Sequence, residues 1–144
     1  MNKLFASIVT ILLLSACSGS EDTVFKVVSP SGEVDAILME TNDGATTSFG
    51  YKVFVQEASA SSSMILVANF YGATRSESAY GVNLVWNTKN ILEIQYYKSS
   101  SANLVKSGVT LNNIKYLITT KSGVYDKNAP SGGMLYNLKG RPHG

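Results

Sequence analysis

Apolar and polar side chains alternate along much of this chain with a period of two, the pattern of strands half-buried in a sheet. Phe49, Tyr51, Val53 and Val55 share one face of such a segment, opposite Lys52 and Gln56. Phe54 interrupts the polar side, so part of that face is expected to be covered. Val82, Leu84 and Trp86 alternate with Asn83 and Val85, while Leu92, Ile94 and Tyr96 face opposite to Glu93, Gln95 and Tyr97. Residues 64–71 (MILVANFY) form a nearly continuous apolar run, which predicts a strand buried on both faces. With residues 24–28, 34–40, 104–111 and 114–120, the pattern predicts eight strands. No segment shows the spacing of an amphipathic helix.

Turn chemistry separates these segments. In Ser29-Pro30-Ser31-Gly32, proline presets φ at the second position and glycine relieves strain at the fourth. Asn42-Asp43-Gly44 is a second turn signal, and residues 87–90 turn the chain between two strands. Asn112 and Asn113 tolerate left-handed backbone and predict a hairpin between residues 104–111 and 114–120. Residues 58–63 (ASASSS), 72–79 (GATRSESA) and 98–102 (KSSSA) read as polar connections. The expected architecture is all-β: a single antiparallel β-sandwich or small barrel of about eight strands over residues 24–144.

The last 24 residues change character. They hold five glycines and two of the three prolines, yet Met134, Leu135, Tyr136 and Leu138 are apolar. GGMLYNLKG is therefore expected to be an extended C-terminal segment docked on the sheet, with Leu135 and Tyr136 covering part of the core.

The start of the chain is different again. After Lys3, residues 4–14 (LFASIVTILLL) carry no charge. Eleven such residues are too few to cross a bilayer, which takes about 20, but they suit the apolar region of a signal peptide. The run ends in Leu14-Ser15-Ala16-Cys17, which resembles the lipobox of bacterial lipoproteins. That resemblance implies a signal peptide over residues 1–16, a diacylglycerol thioether on Cys17 and a further acyl chain on the amine that cleavage frees. Residues 17–23 are then a short lipid-anchored tether. By the same resemblance, serine at position 18 points to the outer membrane, with the domain facing the periplasm. Two or more acyl chains make a durable anchor where one binds only marginally.

Composition narrows the function. Residues 17–144 carry 11 Lys and Arg against 10 Asp and Glu, too balanced for the basic face of a nucleic-acid binder. Cys17 is the only cysteine and His143 the only histidine, so no metal site or cofactor is expected. Nucleophilic catalysis needs a base beside the nucleophile, and the chain has no G-x-S-x-G elbow. Asp35 and Glu93 could pair as carboxylates, but both are expected to face solvent from their strands. No enzymatic activity is expected. Tyr80, Tyr96, Tyr97, Tyr125 and Tyr136 are candidates for a binding patch, although most should pack at sheet edges with their hydroxyls in water.

Other resemblances are local. SPSGEVDA at residues 29–36 resembles the strand–turn–strand hairpin of TolB-type β-propeller blades, and VNLVW with ILEIQY repeats its shape. A propeller needs at least about four blades, more than this length supplies. The lipobox, SPSGEVDA, ATTSFGYKVFV, AYGVNLVW and GGMLYNLKGRP together resemble small bacterial envelope lipoproteins of uncharacterised function. Ser122-Gly123-Val124-Tyr125 resembles the serine–glycine–tyrosine loop of periplasmic lysozyme inhibitors. The chain is therefore expected to be a membrane-anchored, non-catalytic lipoprotein acting as a binding or accessory module with an envelope protein partner. The alternatives are an inhibitor or immunity protein against a cell-wall hydrolase or toxin, and a structural envelope lipoprotein. Ser122, Gly123, Tyr125, Leu135 and Tyr136 are the candidate partner contacts.

Replacing the lipid site tests the anchor directly. Cys17→Ala is expected to leave the precursor unlipidated and uncleaved. Mass spectrometry of membrane fractions checks this, and an unmodified Cys17 in the wild-type chain refutes the anchor.

Overall fold

The computed structural model describes residues 19–44, 46–59, 63–76 and 79–125. Within them the regular structure is all strand. In chain order these are β1 (Ser20–Val28), β2 (Val34–Asn42), β3 (Gly50–Glu57), β4 (Ile65–Tyr71), β5 (Arg75–Ser76), β6 (Ala79–Tyr80), β7 (Val82–Thr88), β8 (Ile91–Tyr96), β9 (Ser101–Leu104), β10 (Gly108–Leu111) and β11 (Ile114–Lys121). One sheet runs β1-β2-β3-β4-β9, the other β10-β11-β8-β7, and β5 with β6 makes a two-stranded ribbon. The two main sheets pack as a sandwich without closing into a barrel. Val34, Ala36, Leu38, Val53, Val55 and Val67 from the first meet Leu84, Leu92, Ile94, Tyr116 and Ile118 from the second.

The turns form as their residues predict. The Gly32 amide donates to the Ser29 carbonyl at 2.8 Å, with Gly32 at φ 77°. Asn112 and Asn113 sit at φ 49° and 61° and join β10 to β11. The alternation holds too: Tyr51, Val53 and Val55 point inward, as do Leu84, Leu92 and Ile94.

Several expectations need correction. β1 begins at Ser20, pairing with Asn42, so residues 20–23 belong to the sheet and not to a free tether. The run at 64–71 looks continuous because β4 bulges: the register slips between Val53 and Phe54, leaving Val67 as the extra residue, and neighbours Val67 and Ala68 both reach the core. Leu66 and Asn69, paired opposite Phe54 and Lys52, take the other face and are only partly covered. The single strand expected over 104–111 is two strands in different sheets. β9 pairs with β4, the amides of Val105 and Lys106 both donate to the Val67 carbonyl, and β10 then pairs with β11. The polar connection expected at 98–102 already contains the start of β9. Finally, β11 lies parallel to β8, so the second sheet is mixed. Residues 1–18 and 126–144 lie outside the described residues, and with them Cys17, Leu135, Tyr136 and the segment expected to dock on the sheet.

One end of the sandwich collects the start of β1 and several connections. Ser20, Asn42, Gly50, Tyr71 and Ser101 lie there in the first sheet, as the pairings of neighbouring strands require. Val82, Tyr96 and Lys121 lie there in the second. The Thr74 amide donates to the Lys98 carbonyl at 2.8 Å and the Ser99 hydroxyl to the Tyr71 carbonyl at 2.8 Å, tying the two sheets together at this end. At the sandwich edge, the Trp86 indole N–H donates to the Val27 carbonyl at 3.3 Å.

A buried ion pair closes that end. Glu40 continues the inward parity of Val34, Ala36 and Leu38, so its carboxylate enters the core side of the sheet. Arg75 meets it: Nη1 donates to Oε2 at 3.0 Å, with the two side chains 10% and 1% exposed. The guanidinium also lies 3.9 Å from the centre of the Phe49 ring. Tyr51 pairs opposite Glu40, and burial first, then the Glu40 charge, pushes its phenol far above the ordinary value of 10. Gly81 stands over that phenol at φ 86°, and a Cβ there would come within 2.6 Å of Tyr51 Oη. Removing one partner of a buried pair strands the other charge, at a cost of about 3–5 kcal/mol. Arg75→Ala should therefore lower Tm by roughly 10 °C or more for a domain of this size. The double variant Glu40→Gln, Arg75→Met should recover most of the loss. Calorimetry of the three chains checks both expectations.

Candidate functional site

The site grows out of the parallel pairing of β11 with β8. Because the two strands run the same way, both finish at the Ser20 end, and the chain beyond β11 stays fastened to β8. The Gly123 amide donates to the Tyr97 carbonyl at 2.9 Å and the Val124 amide to the Tyr96 carbonyl at 3.1 Å. Gly123 takes φ 74°, a left-handed conformation that glycine adopts without strain. This fastening presents Tyr125, 67% exposed, edge-on to Tyr97 with ring centres 5.0 Å apart and planes at 89°. Lys98 Nζ lies 5.3 Å from the Tyr97 ring centre on the same corner. A cation over an exposed ring contributes about 0.5–1 kcal/mol.

A shallow groove adjoins the corner, lined by Tyr80, Gly81, Asn83, Gln95, Tyr96, Tyr97 and Val124. Its polar lining is Asn83 and Gln95, which sit directly opposite each other on β7 and β8. Chemistry fixes how their amides point. The Leu84 N–H can only donate, so Asn83 accepts through Oδ1, at 3.0 Å, and turns its Nδ2 outward. Glu93 can only accept when ionised, so Gln95 donates through Nε2, at 2.7 Å, and leaves Oε1 as an acceptor. A donor and an acceptor therefore stand next to each other, each held by a second bond. The hydrogen bond from Gln95 holds the Glu93 carboxyl below its ordinary value of 4.5, outweighing partial desolvation, with Asn87 and Lys121 adding to the shift.

Three sequence-predicted contacts, Ser122, Gly123 and Tyr125, thus come together with Tyr97 at one corner. Leu135, Tyr136 and Cys17 lie outside the described residues. Two other tyrosines turn inward: Tyr80 is buried, and Tyr96 packs against Phe70 with ring centres 5.1 Å apart. Asn83, Gln95 and Lys98 were not singled out by the sequence. For Asn83 and Gln95, outward parity on residues 82–86 and 91–97 was the available signal, but the pairing that makes them neighbours was not readable; Lys98 lies beyond both segments.

Asp35 and Glu93 are not brought together, because they lie on opposite outer faces of the sandwich. Asp35 is moreover buried, contrary to expectation: Lys26 Nζ donates to its Oδ2 at 2.9 Å, and Gln56 Nε2 reaches the same oxygen at 3.5 Å.

No protein-family model, no curated protein and no solved structure matches the chain.

The Gln95–Glu93 bond makes a measurable prediction. Gln95→Ala removes the leading cause of the depressed value, so the Glu93 midpoint should rise toward 4.5 in a carboxylate NMR titration. A carboxyl with a depressed folded pKa contributes its stability above the unfolded value and loses it as pH falls through the folded one. In the wild-type chain the Gln95 contact should therefore persist below pH 4.5.

Proposed function

We propose that the chain is a membrane-anchored bacterial lipoprotein of the cell envelope, a non-catalytic binding or accessory module held by acyl chains on Cys17. Its place is the outer membrane, with the β domain on the periplasmic side. The observation that carries the reading is the fastened corner. Two backbone hydrogen bonds hold residues 123 and 124 so that Tyr125 projects beside Tyr97 and Lys98. Ordering an exposed aromatic in this way costs conformational entropy that its own fold does not return. Tyrosine is enriched where surfaces meet partners, since it offers a large, rigid, amphipathic contact. The groove with its oriented Asn83 and Gln95 extends the same surface.

Other features agree with a non-catalytic role. The two strand carboxylates that could have served as an acid–base pair lie on opposite faces. The LSAC sequence at residues 14–17 supports the anchor.

Site-specific photo-cross-linking in living cells tests the proposal. A benzophenone side chain in place of Tyr125 should give an adduct with an envelope component in the outer-membrane fraction. The same group in place of Ile114, exposed at the other end of the sandwich, should not. Equal labelling from both positions, or adducts only in the cytoplasmic fraction, refutes it.

A further inference from the structure

The first sheet begins almost at the lipid site. β1 starts at Ser20, three residues after Cys17, and three residues of extended chain span at most about 11 Å. An anchor on Cys17 therefore cannot let the domain wander: the end of the sandwich holding Ser20 must stay within reach of the bilayer.

That end is also where the exposed aromatic side chains are. Among the described residues, two of the exposed large apolar side chains are tyrosines, Tyr71 at 41% and Tyr125 at 67%. Both lie at the Ser20 end, Tyr71 on the outer side of the first sheet and Tyr125 beyond the end of the second. Exposed Lys98 lies at the same end beside the Tyr97 ring, and exposed Lys121 closes β11 there. The opposite end carries the turns at residues 29–32, 89–90 and 112–113. Its exposed apolar side chains, Val28, Met64 and Ile114 among them, include no aromatic.

We infer that the end face carrying Tyr71, Lys98 and Tyr125 rests on the phospholipid surface that holds the acyl chains of Cys17. The inference depends on the lipoprotein reading above and names the partner of the fastened corner. Tyrosine settles at the headgroup level because its ring is apolar and its hydroxyl is wet. Lysine lays its stem along apolar surface while its ammonium reaches phosphate. Acyl chains plus a surface contact amount to two signals, and the second one sets orientation. The domain would stand on this end with its strands rising from the membrane, leaving the groove of Asn83 and Gln95 just above the headgroups. A protein partner at Tyr125 is the competing occupant. It is less favoured, because a lipid anchor this short crowds the same end against the bilayer.

Lysine footprinting of the lipidated wild-type chain decides the matter without mutation. The chain is placed in vesicles of phosphatidylethanolamine and phosphatidylglycerol and exposed to an acetylating reagent. Each lysine's rate is divided by its rate in the urea-unfolded chain. Lys98 and Lys121 should react about threefold or more slowly than Lys89 and Lys115, which are also exposed but lie at the far end. Equal protection at both ends, or protection of Lys89 and Lys115 instead, overturns the inference. A benzophenone at position 125 identifies what covers the corner. A phospholipid adduct supports the inference, and a protein adduct in cells overturns it while leaving the proposed binding role intact. Intact mass separates the remaining failures. An unmodified Cys17 overturns both readings, whereas an acylated Cys17 with unprotected Lys98 overturns the orientation alone.

Discussion

The ion pair between Glu40 and Arg75 is the contact on which this end of the sandwich depends. Glu40 sits on a core-facing position of β2, where a charge is tolerated only if a partner follows it inside. Arg75 comes from the β5–β6 ribbon, so satisfying one carboxylate folds a connection of the chain down over the end of the core. The ribbon then sets Tyr80 and Gly81, and Gly81 leads straight into β7. Space is tight: only a residue without a Cβ fits over the Tyr51 phenol, and only glycine takes its backbone angle without strain. The groove wall is thus positioned by a buried charge several residues away.

The second organising feature is the mixed second sheet. A hairpin would have brought β11 back beside β8 in the opposite sense, sending residues 122–125 to the far end. Parallel pairing sends them to the Ser20 end, where Tyr97 and Lys98 leave β8. Edge-to-face packing of Tyr97 and Tyr125 is a consequence of that direction. So is the arrival of Lys121 and Tyr125 at the end that already holds Tyr97 and Lys98.

Much of this was readable in the residues. Alternation assigned the inward faces of β3, β7 and β8, and the Ser29–Pro30 and Asn112–Asn113 turns were specified by their own chemistry. The corner was half legible, since Ser122, Gly123, Tyr125 and Tyr97 all stood out as candidates. What escaped was set by partners distant in sequence. Residues 104–111 were read as one strand although Lys106-Ser107-Gly108 interrupts the apolar pattern, and the chain divides there, where a bulge on β4 offers the Val67 carbonyl to two successive amides. Asp35 looks like a solvent-facing residue until Lys26 and Gln56 are seen across two neighbouring strands. Glu40 shares its parity with Leu38, a hint that only the arrival of Arg75 makes intelligible. Asn83 and Gln95 become a pair only once β7 and β8 are in register.

The parallel pairing also has a consequence for the order in which the chain can acquire its shape. β1 to β4 form a meander of short connections, each strand able to pair as soon as its neighbour exists. β8 must wait for β11 across the whole of β9 and β10, and such non-local pairings are slow to find. Residues 122–125 cannot take their places until that search is over. The surface at the Tyr97–Tyr125 corner is therefore assembled last, from the part of the described chain that leaves the ribosome last.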